Sequence, residues 1–171
     1  MLAYKAESAD DYIQMEGENG GPSIEMSITY RPFLHEFLED VKSKFELIIY
    51  SSIGDKQLRE ILNCIEKKKK YFSYSFGETF CLFANISSSV KCLDFLLSNR
   101  TPADIIVIES TAKALPLSTD NLIPVAMYEG SNEDIELVKL ASLLDSLSTQ
   151  KDVPATIKKY RESYKINGGA K

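Results

Sequence analysis

Apolar and polar positions along the chain fall into two periods. The stretch "IEMSITY" alternates with period two and comes after "GENGGP", which is dense in turn residues. "YIQMEGENGGPSIEMSITY" is therefore predicted as strand, turn and strand over residues 12–30. Arg31-Pro32 ends that hairpin, and Pro32 is well placed as the first helical residue. "PFLHEFLEDVKSKF" then puts Phe33, Leu34, Phe37, Leu38 and Val41 on one helical stripe. His35, the single histidine, falls off the stripe and reads as an exposed helix-surface side chain.

"FELIIY" is a short continuous apolar run, the pattern of a parallel strand covered on both faces. The helix predicted next, "DKQLREILNCIEKKKK", carries Leu58, Ile61, Leu62 and Ile65 on one side, and Lys67 to Lys70 read as a solvated C-terminal turn. "YFSYSFGETFCLFAN" predicts short strands or irregular structure, and "SSVKCLDFLLSN" a short helix. "ADIIVIES" and "NLIPVAMYE" are two further strands. "SNEDIELVKLASLLDSLSTQ" is a helix capped by Ser131 or Asn132, and "DVPATIKKYRESYK" a last helix before a flexible tail over 165–171. Strands alternating with helices give an α/β fold with a mainly parallel sheet.

Length and composition change this picture little. The 171 residues suit one domain over 1–171, and 44% apolar residues are enough for an ordinary core. A net charge of −5 gives no global electrostatic reason to bind nucleic acid. No apolar run reaches the roughly 20 residues of a membrane span, and "MLAYKAESADDYIQ" lacks the basic and apolar regions of a targeting peptide. Cys64, Cys81 and Cys92 show no C-x-x-C spacing, which argues against a disulfide framework or a zinc site. An intracellular, reducing compartment is expected, with nucleus, cytoplasm and mitochondrion left open.

Several motifs, in this order, resemble one family. Arg31-Pro32 opens "RPFLHEFL", "ELIIYSS" ends a strand, "VKCLD" comes after an irregular segment, and "ADIIVIES" precedes "NLIPVAMYEG". The chain resembles the NLI-interacting-factor-like (FCP/SCP-type) phosphatases of the haloacid dehalogenase superfamily, from about Tyr12 to Arg161. That group includes phosphatases acting on the RNA polymerase II C-terminal domain and the mitochondrial inner-membrane translocase subunit of the same fold. "YSS" and "LSTQKDVPATIKKY" lean toward the translocase subunit.

The resemblance implies a chemistry. Enzymes of the family use a D-x-D-x-T motif at the end of the first strand. Its first Asp forms a phosphoaspartate, and its second is general acid and base. A Thr or Ser after the second strand and a later Lys hold the phosphoryl oxygens, and acidic or amide groups after a later strand help bind Mg²⁺. By that correspondence Ser51 stands at the phosphate-contacting position and Lys91 at the phosphate-binding Lys. Glu109 and Ser110 stand where the family places an Asp followed by Asn or Asp. Glu109 offers a shifted oxygen, and Ser110 is a poor metal ligand.

The nucleophile motif has no counterpart in this sequence. Residues 2–5 match the segment just after that motif in family members, and the early pair Asp10-Asp11 is adjacent rather than spaced by two. No catalytic residue and no metal ligand set is therefore assigned. Ser51 and Lys91 are vestigial phosphate-site residues, with Ser51 expected to bond loop amides and Lys91 to lie on the surface. Glu109 and Ser110 are vestigial metal-site residues. In the family sheet the first strand lies between those read here as "FELIIY" and "ADIIVI". Three outcomes are open: direct pairing of these two, a strand from residues 1–5 between them, or a strand added by another chain. The expected function is a catalytically degenerate phosphatase-like domain that binds protein within a larger complex, with no cofactor. The alternative is a Mg²⁺-dependent protein Ser/Thr phosphatase whose D-x-D-x-T strand is missing from this sequence.

Overall fold

The antiparallel start of the chain is built as the alternation in "IEMSITY" predicts. The structure, a computed structural model, describes residues 2–3, 9–15, 21–85, 88–116 and 118–166. Strand β1 (Leu2–Ala3) and strand β2 (Asp11–Met15) lie on opposite edges of β3 (Ile24–Tyr30), in the order β1-β3-β2, both antiparallel to it. Ile13 and Ile28 are buried against Ile61. The "GEN" of the predicted turn lies outside the described residues.

Helix α1 (Leu34–Lys42) starts two residues later than Pro32 suggests. Phe33 adopts a left-handed conformation with φ 64°, so the chain turns sharply before the helix begins, and its ring is left exposed rather than on the buried stripe. Leu38 and Val41 are the buried residues of α1, and His35 is exposed beside Tyr30 and Tyr71.

Strand β4 (Ile48–Tyr50) precedes α2 (Asp55–Ile65), which buries Leu58, Ile61 and Leu62. Three of the lysines beyond it are neutralised: Lys67 by Asp11, Lys69 by Glu39 and Lys70 by Glu66. Strand β5 (Tyr74–Phe76) runs parallel to β4, and β6 (Leu82–Asn85) pairs antiparallel with β7 (Ser88–Val90). "SSVKCLDFLLSN" is thus a strand followed by a short 3₁₀ turn at Asp94–Leu96, not the predicted helix. Ser88 and Ser89 enter the ladder with β6, which claims the backbone a helix would have used.

Strand β8 (Val107–Glu109) and β9 (Leu122–Pro124) form a second parallel pair. Helix α3 (Glu136–Leu147) begins after the predicted Ser131 or Asn132 cap. Asp134 accepts the Glu136 amide at 2.9 Å, while Ser131 Oγ accepts that of Glu133 in the preceding turn. Helix α4 (Val153–Ile166) extends past position 165, where the tail was expected to begin, and residues 167–171 lie outside the described residues. Leu137, Leu140, Leu144 and Leu147 of α3 join Val41, Ile123, Val125 and Ile157 in the main core, each such side chain contributing about 1.5–3 kcal/mol.

The parallel strands form two separate pairs, β4-β5 and β8-β9. Of the three outcomes left open, two are not seen among the described residues: β4 does not pair with β8, and Leu2–Ala3 sits on the edge of β3. "FELIIY" and "ADIIVI" are consequently less covered than their composition suggests. Ile48, Ile49 and Tyr50 are half-buried, and Ile108 is exposed.

Candidate functional site

Three of the four residues singled out by the family motifs, Lys91, Glu109 and Ser110, meet at the carboxyl end of β8, where ligands bind in open α/β sheets. Lys91 comes directly after β7, and its amide donates to the Ala114 carbonyl at 2.8 Å. Its ammonium donates to Glu109 Oε2 at 2.5 Å, and the two side chains are only 14% and 16% exposed. Lys91 is therefore not on the surface. The other carboxylate oxygen, Oε1, accepts the Ser110 and Thr111 amides at 2.8 and 3.3 Å and the Ser110 hydroxyl at 3.3 Å. Burial pushes the Glu109 carboxyl up, but the Lys91 bond and charge together with these amides outweigh it, and the net shift is downward. Glu109 is thus a carboxylate, and both its oxygens are occupied.

Ser51 stands apart from that pair. Its amide donates to Phe76 O at 2.9 Å, and its hydroxyl accepts the Ile53 amide at 3.3 Å. Bonding a loop amide is the structural job anticipated for it. Among the described residues it makes no hydrogen bond to Lys91 or Glu109. Cys81, buried beside it, directs its thiol at Ser51 O, 3.7 Å away. Burial pushes that thiol up, which leaves Cys81 protonated and a poor nucleophile.

Tyr50, which belongs to the "ELIIYSS" motif but was given no role by the family correspondence, connects the two halves. Its hydroxyl donates to Phe80 O at 2.6 Å and accepts the Cys92 amide at 3.3 Å, while the Lys91 ammonium lies 5.8 Å from its ring centroid. Phe95 meets the Tyr50 ring edge-on at 5.7 Å, and Phe76 and Phe80 continue the aromatic wall. The one available signal was position: an aromatic on the last residue of the strand that leads into Ser51. The early acids are elsewhere and engaged. Asp10 accepts the Tyr30 amide at 2.7 Å, and Asp11 pairs with Lys67 and the Tyr30 hydroxyl.

The arrangement can hold one ammonium and one carboxylate against each other with both side chains largely shielded from water. Among the described residues it brings no second carboxylate to Lys91, and no group of three acidic, histidine or cysteine side chains is placed to share a metal ion.

Comparison with known proteins agrees with this architecture. Two structures of the RNA polymerase II CTD phosphatase Fcp1, one of them the fission yeast protein bound to beryllium fluoride, match with TM-scores of 0.58 and 0.59. They cover 93% and 94% of this chain and 46% and 44% of theirs; at 20% identity they show the shared haloacid-dehalogenase-like fold. In sequence, the chain is 28% identical over 136 residues to CTD small phosphatase-like protein 2 of Dictyostelium discoideum, covering 80% of this chain. It is also 28% identical over 138 residues to the mitochondrial import inner membrane translocase subunit TIM50 of Debaryomyces hansenii. The chain spans only 23% and 28% of the length of those two relatives. The family model described as NLI interacting factor-like phosphatase matches residues 2–154, and the chain belongs to that family.

Proposed function

We propose that this chain is a catalytically degenerate phosphatase-like domain that acts as a protein-binding subunit of a larger complex. The observation that carries the reading is the closure of Lys91 onto Glu109 at 2.5 Å. The cation that would meet a phosphoryl group is already satisfied by a carboxylate of the same chain, and opening the pair would expose two charges in a half-shielded site. Asp10 and Asp11 are both engaged on the hairpin, Asp10 by the Tyr30 amide and Asp11 by Lys67 and the Tyr30 hydroxyl. Among the described residues no free carboxylate is paired with Lys91 to accept a phosphoryl group, and without one covalent transfer has no first step.

Magnesium, which the family implies, does not fit these donors. Among the described residues Glu109 is the one acidic group paired with Lys91, and its oxygens already face an ammonium, two amides and a hydroxyl. A near-octahedral shell needs more hard oxygen ligands than this. The three free thiols suit a reducing compartment. Complex membership is supported by the similarity to translocase subunits, whose name places them in such an assembly.

The test is turnover of an aryl phosphate by the purified protein in Mg²⁺, with Ser51→Ala and Lys91→Ala alongside. The expected result is no turnover above buffer and no rise in melting temperature with millimolar Mg²⁺. Activity lost in Lys91→Ala would overturn the reading in favour of a Mg²⁺-dependent phosphatase.

A further inference from the structure

Away from the Lys91–Glu109 pair, the end of β3, the first turn of α1 and the turn before α3 frame a pocket of about 350 Å³. Asp10, Thr29, Tyr30, Phe33, Glu36 and Asn132 are among the residues that line it. Its charge is negative. Arg31 also borders the pocket, but Asp134 neutralises its guanidinium and the Ala126 carbonyl holds it. Asp10 Oδ2 accepts the Tyr30 amide at 2.7 Å. Among the described residues, neither Asp10 nor Glu36 is paired with a lysine or an arginine. The amino end of α1 favours an anion here, but its partial charge of about +0.5 is small against two full carboxylates.

Two further features of the lining go with the charge. Thr29 is only 9% exposed, on the face of β3 opposite the buried Ile28, and its Oγ1 has no hydrogen-bond partner among the described residues. A shielded hydroxyl is seldom left so in a native fold. Phe33 is held at φ 64°, a conformation that residues other than glycine seldom adopt, and its ring remains 47% exposed. Its left-handed backbone therefore places an aromatic ring on the pocket instead of in the core.

We propose that this pocket receives the guanidinium of an arginine side chain carried by a partner polypeptide. The proposal rests on the protein-binding reading above and names the chemistry by which the partner is recognised. A guanidinium is a planar fork of five N–H donors, suited to the Asp10 and Glu36 carboxylates, the Thr29 hydroxyl and the Asn132 amide oxygen, all acceptors. Its flat face suits the Phe33 ring. A lysine ammonium meets the same charge but has neither the fork nor the plane.

The probes are blocked peptides that differ only in one central residue, arginine, lysine or norleucine, titrated into the ¹⁵N-labelled protein. The arginine peptide is expected to shift the amide signals of Thr29, Phe33, Glu36 and Asn132, and to bind at least about threefold tighter than the lysine peptide. The norleucine peptide is expected to cause no shift. Asp10→Asn and Glu36→Gln keep side-chain shape at exposed positions, and an amide oxygen at position 10 can still accept the Tyr30 N–H. Together they are expected to weaken arginine binding at least about tenfold. Phe33→Leu should weaken it about two- to fivefold. The amide spectrum of each variant reports directly that it is folded.

No binding, shifts centred elsewhere, equal binding of the lysine or norleucine peptide, or binding untouched by the Asp10→Asn/Glu36→Gln pair each overturns the proposal. Free arginine tests the other source of a guanidinium: binding tighter than the peptide's would make the ligand a free amino acid and remove the partner. Aryl-phosphate turnover is read separately. Turnover with arginine binding intact would remove the degenerate-enzyme reading and leave the pocket standing. Loss of both turnover and arginine binding would remove the pocket and leave that reading.

Discussion

Arg31 and Asp134, 103 residues apart in sequence, meet in a two-point ion pair: Nε donates to Oδ1 at 2.8 Å and Nη2 to Oδ2 at 2.7 Å. The Arg31 side chain is fully buried, its Nη1 donates to Ala126 O at 2.8 Å, and its guanidinium lies 5.6 Å from the Tyr128 ring centroid. The pair joins the end of β3 to the turn that starts α3. Removing one partner strands a charge in a site that water barely reaches. Arg31→Met is expected to cost about 3–5 kcal/mol in urea unfolding. Arg31→Lys should lose much of the same stability, because an ammonium cannot make the fork. A loss below about 1 kcal/mol for Arg31→Met would contradict the buried pairing.

The Lys91–Glu109 pair gives a stability that depends on pH. Glu109 has its carboxyl lowered from an ordinary value of 4.5. For a lowered carboxyl, the folded state binds the proton less readily than the unfolded chain. Its contribution is therefore complete above about 4.5 and disappears as pH falls through the lower folded-state value. Glu109→Gln should lose stability at pH 7 and show a shallower decline below pH 4.5 than the unsubstituted protein. Chemical unfolding at stepped pH measures both. Parallel declines would mean that the pair is open in solution.

How much of this was legible depends on the kind of signal each part leaves. Helices α2, α3 and α4 and strands β8 and β9 were readable because their apolar residues repeat at the period of the element or form uninterrupted runs. The start of α1 was misplaced because Pro32 is compatible with a first helical turn, and nothing local announces the left-handed Phe33. "SSVKCLDFLLSN" was misread because pairing with β6 decided it, and propensity is weak against a tertiary ladder. Lys91 and Glu109 were found as separate motif positions. That they neutralise each other was not readable, since it depends on where two distant segments end. The half-buried state of Ile48 and Ile49 and the exposure of Ile108 have the same origin: composition reports what a strand is suited to, not which neighbours it has.

Gly77 tests the packing beneath the site at a single atom. Its backbone is extended, at φ −99° and ψ −158°, so an alanine there incurs no torsional strain. Space is the obstacle. A Cβ at this position would collide with Asp55 Oδ1, and it would lie 2.9 Å from Asp55 Cγ and 3.1 Å from Asp55 Cα. The carboxylate cannot simply swing away without loss, because its Oδ2 accepts the Thr79 hydroxyl at 2.5 Å. Asp55 is also the first residue of α2, so crowding against its backbone can be relieved only by moving the helix start. Gly77→Ala also lowers the entropy of the unfolded chain, which favours the variant by about 0.4–1 kcal/mol. Overpacking typically costs about 1–3 kcal/mol, so the clash outweighs that gain. Gly77→Ala is expected to be less stable by about 1–2 kcal/mol. The Gly77→Ala/Asp55→Ala double variant should show coupling, because truncating Asp55 removes the two closest approaches and leaves only the one to its backbone. Urea midpoints of the two single variants and the double one decide the matter. Simple additivity would place Asp55 away from Gly77 in solution, and the loop after β5 would then owe its shape to something other than this packing.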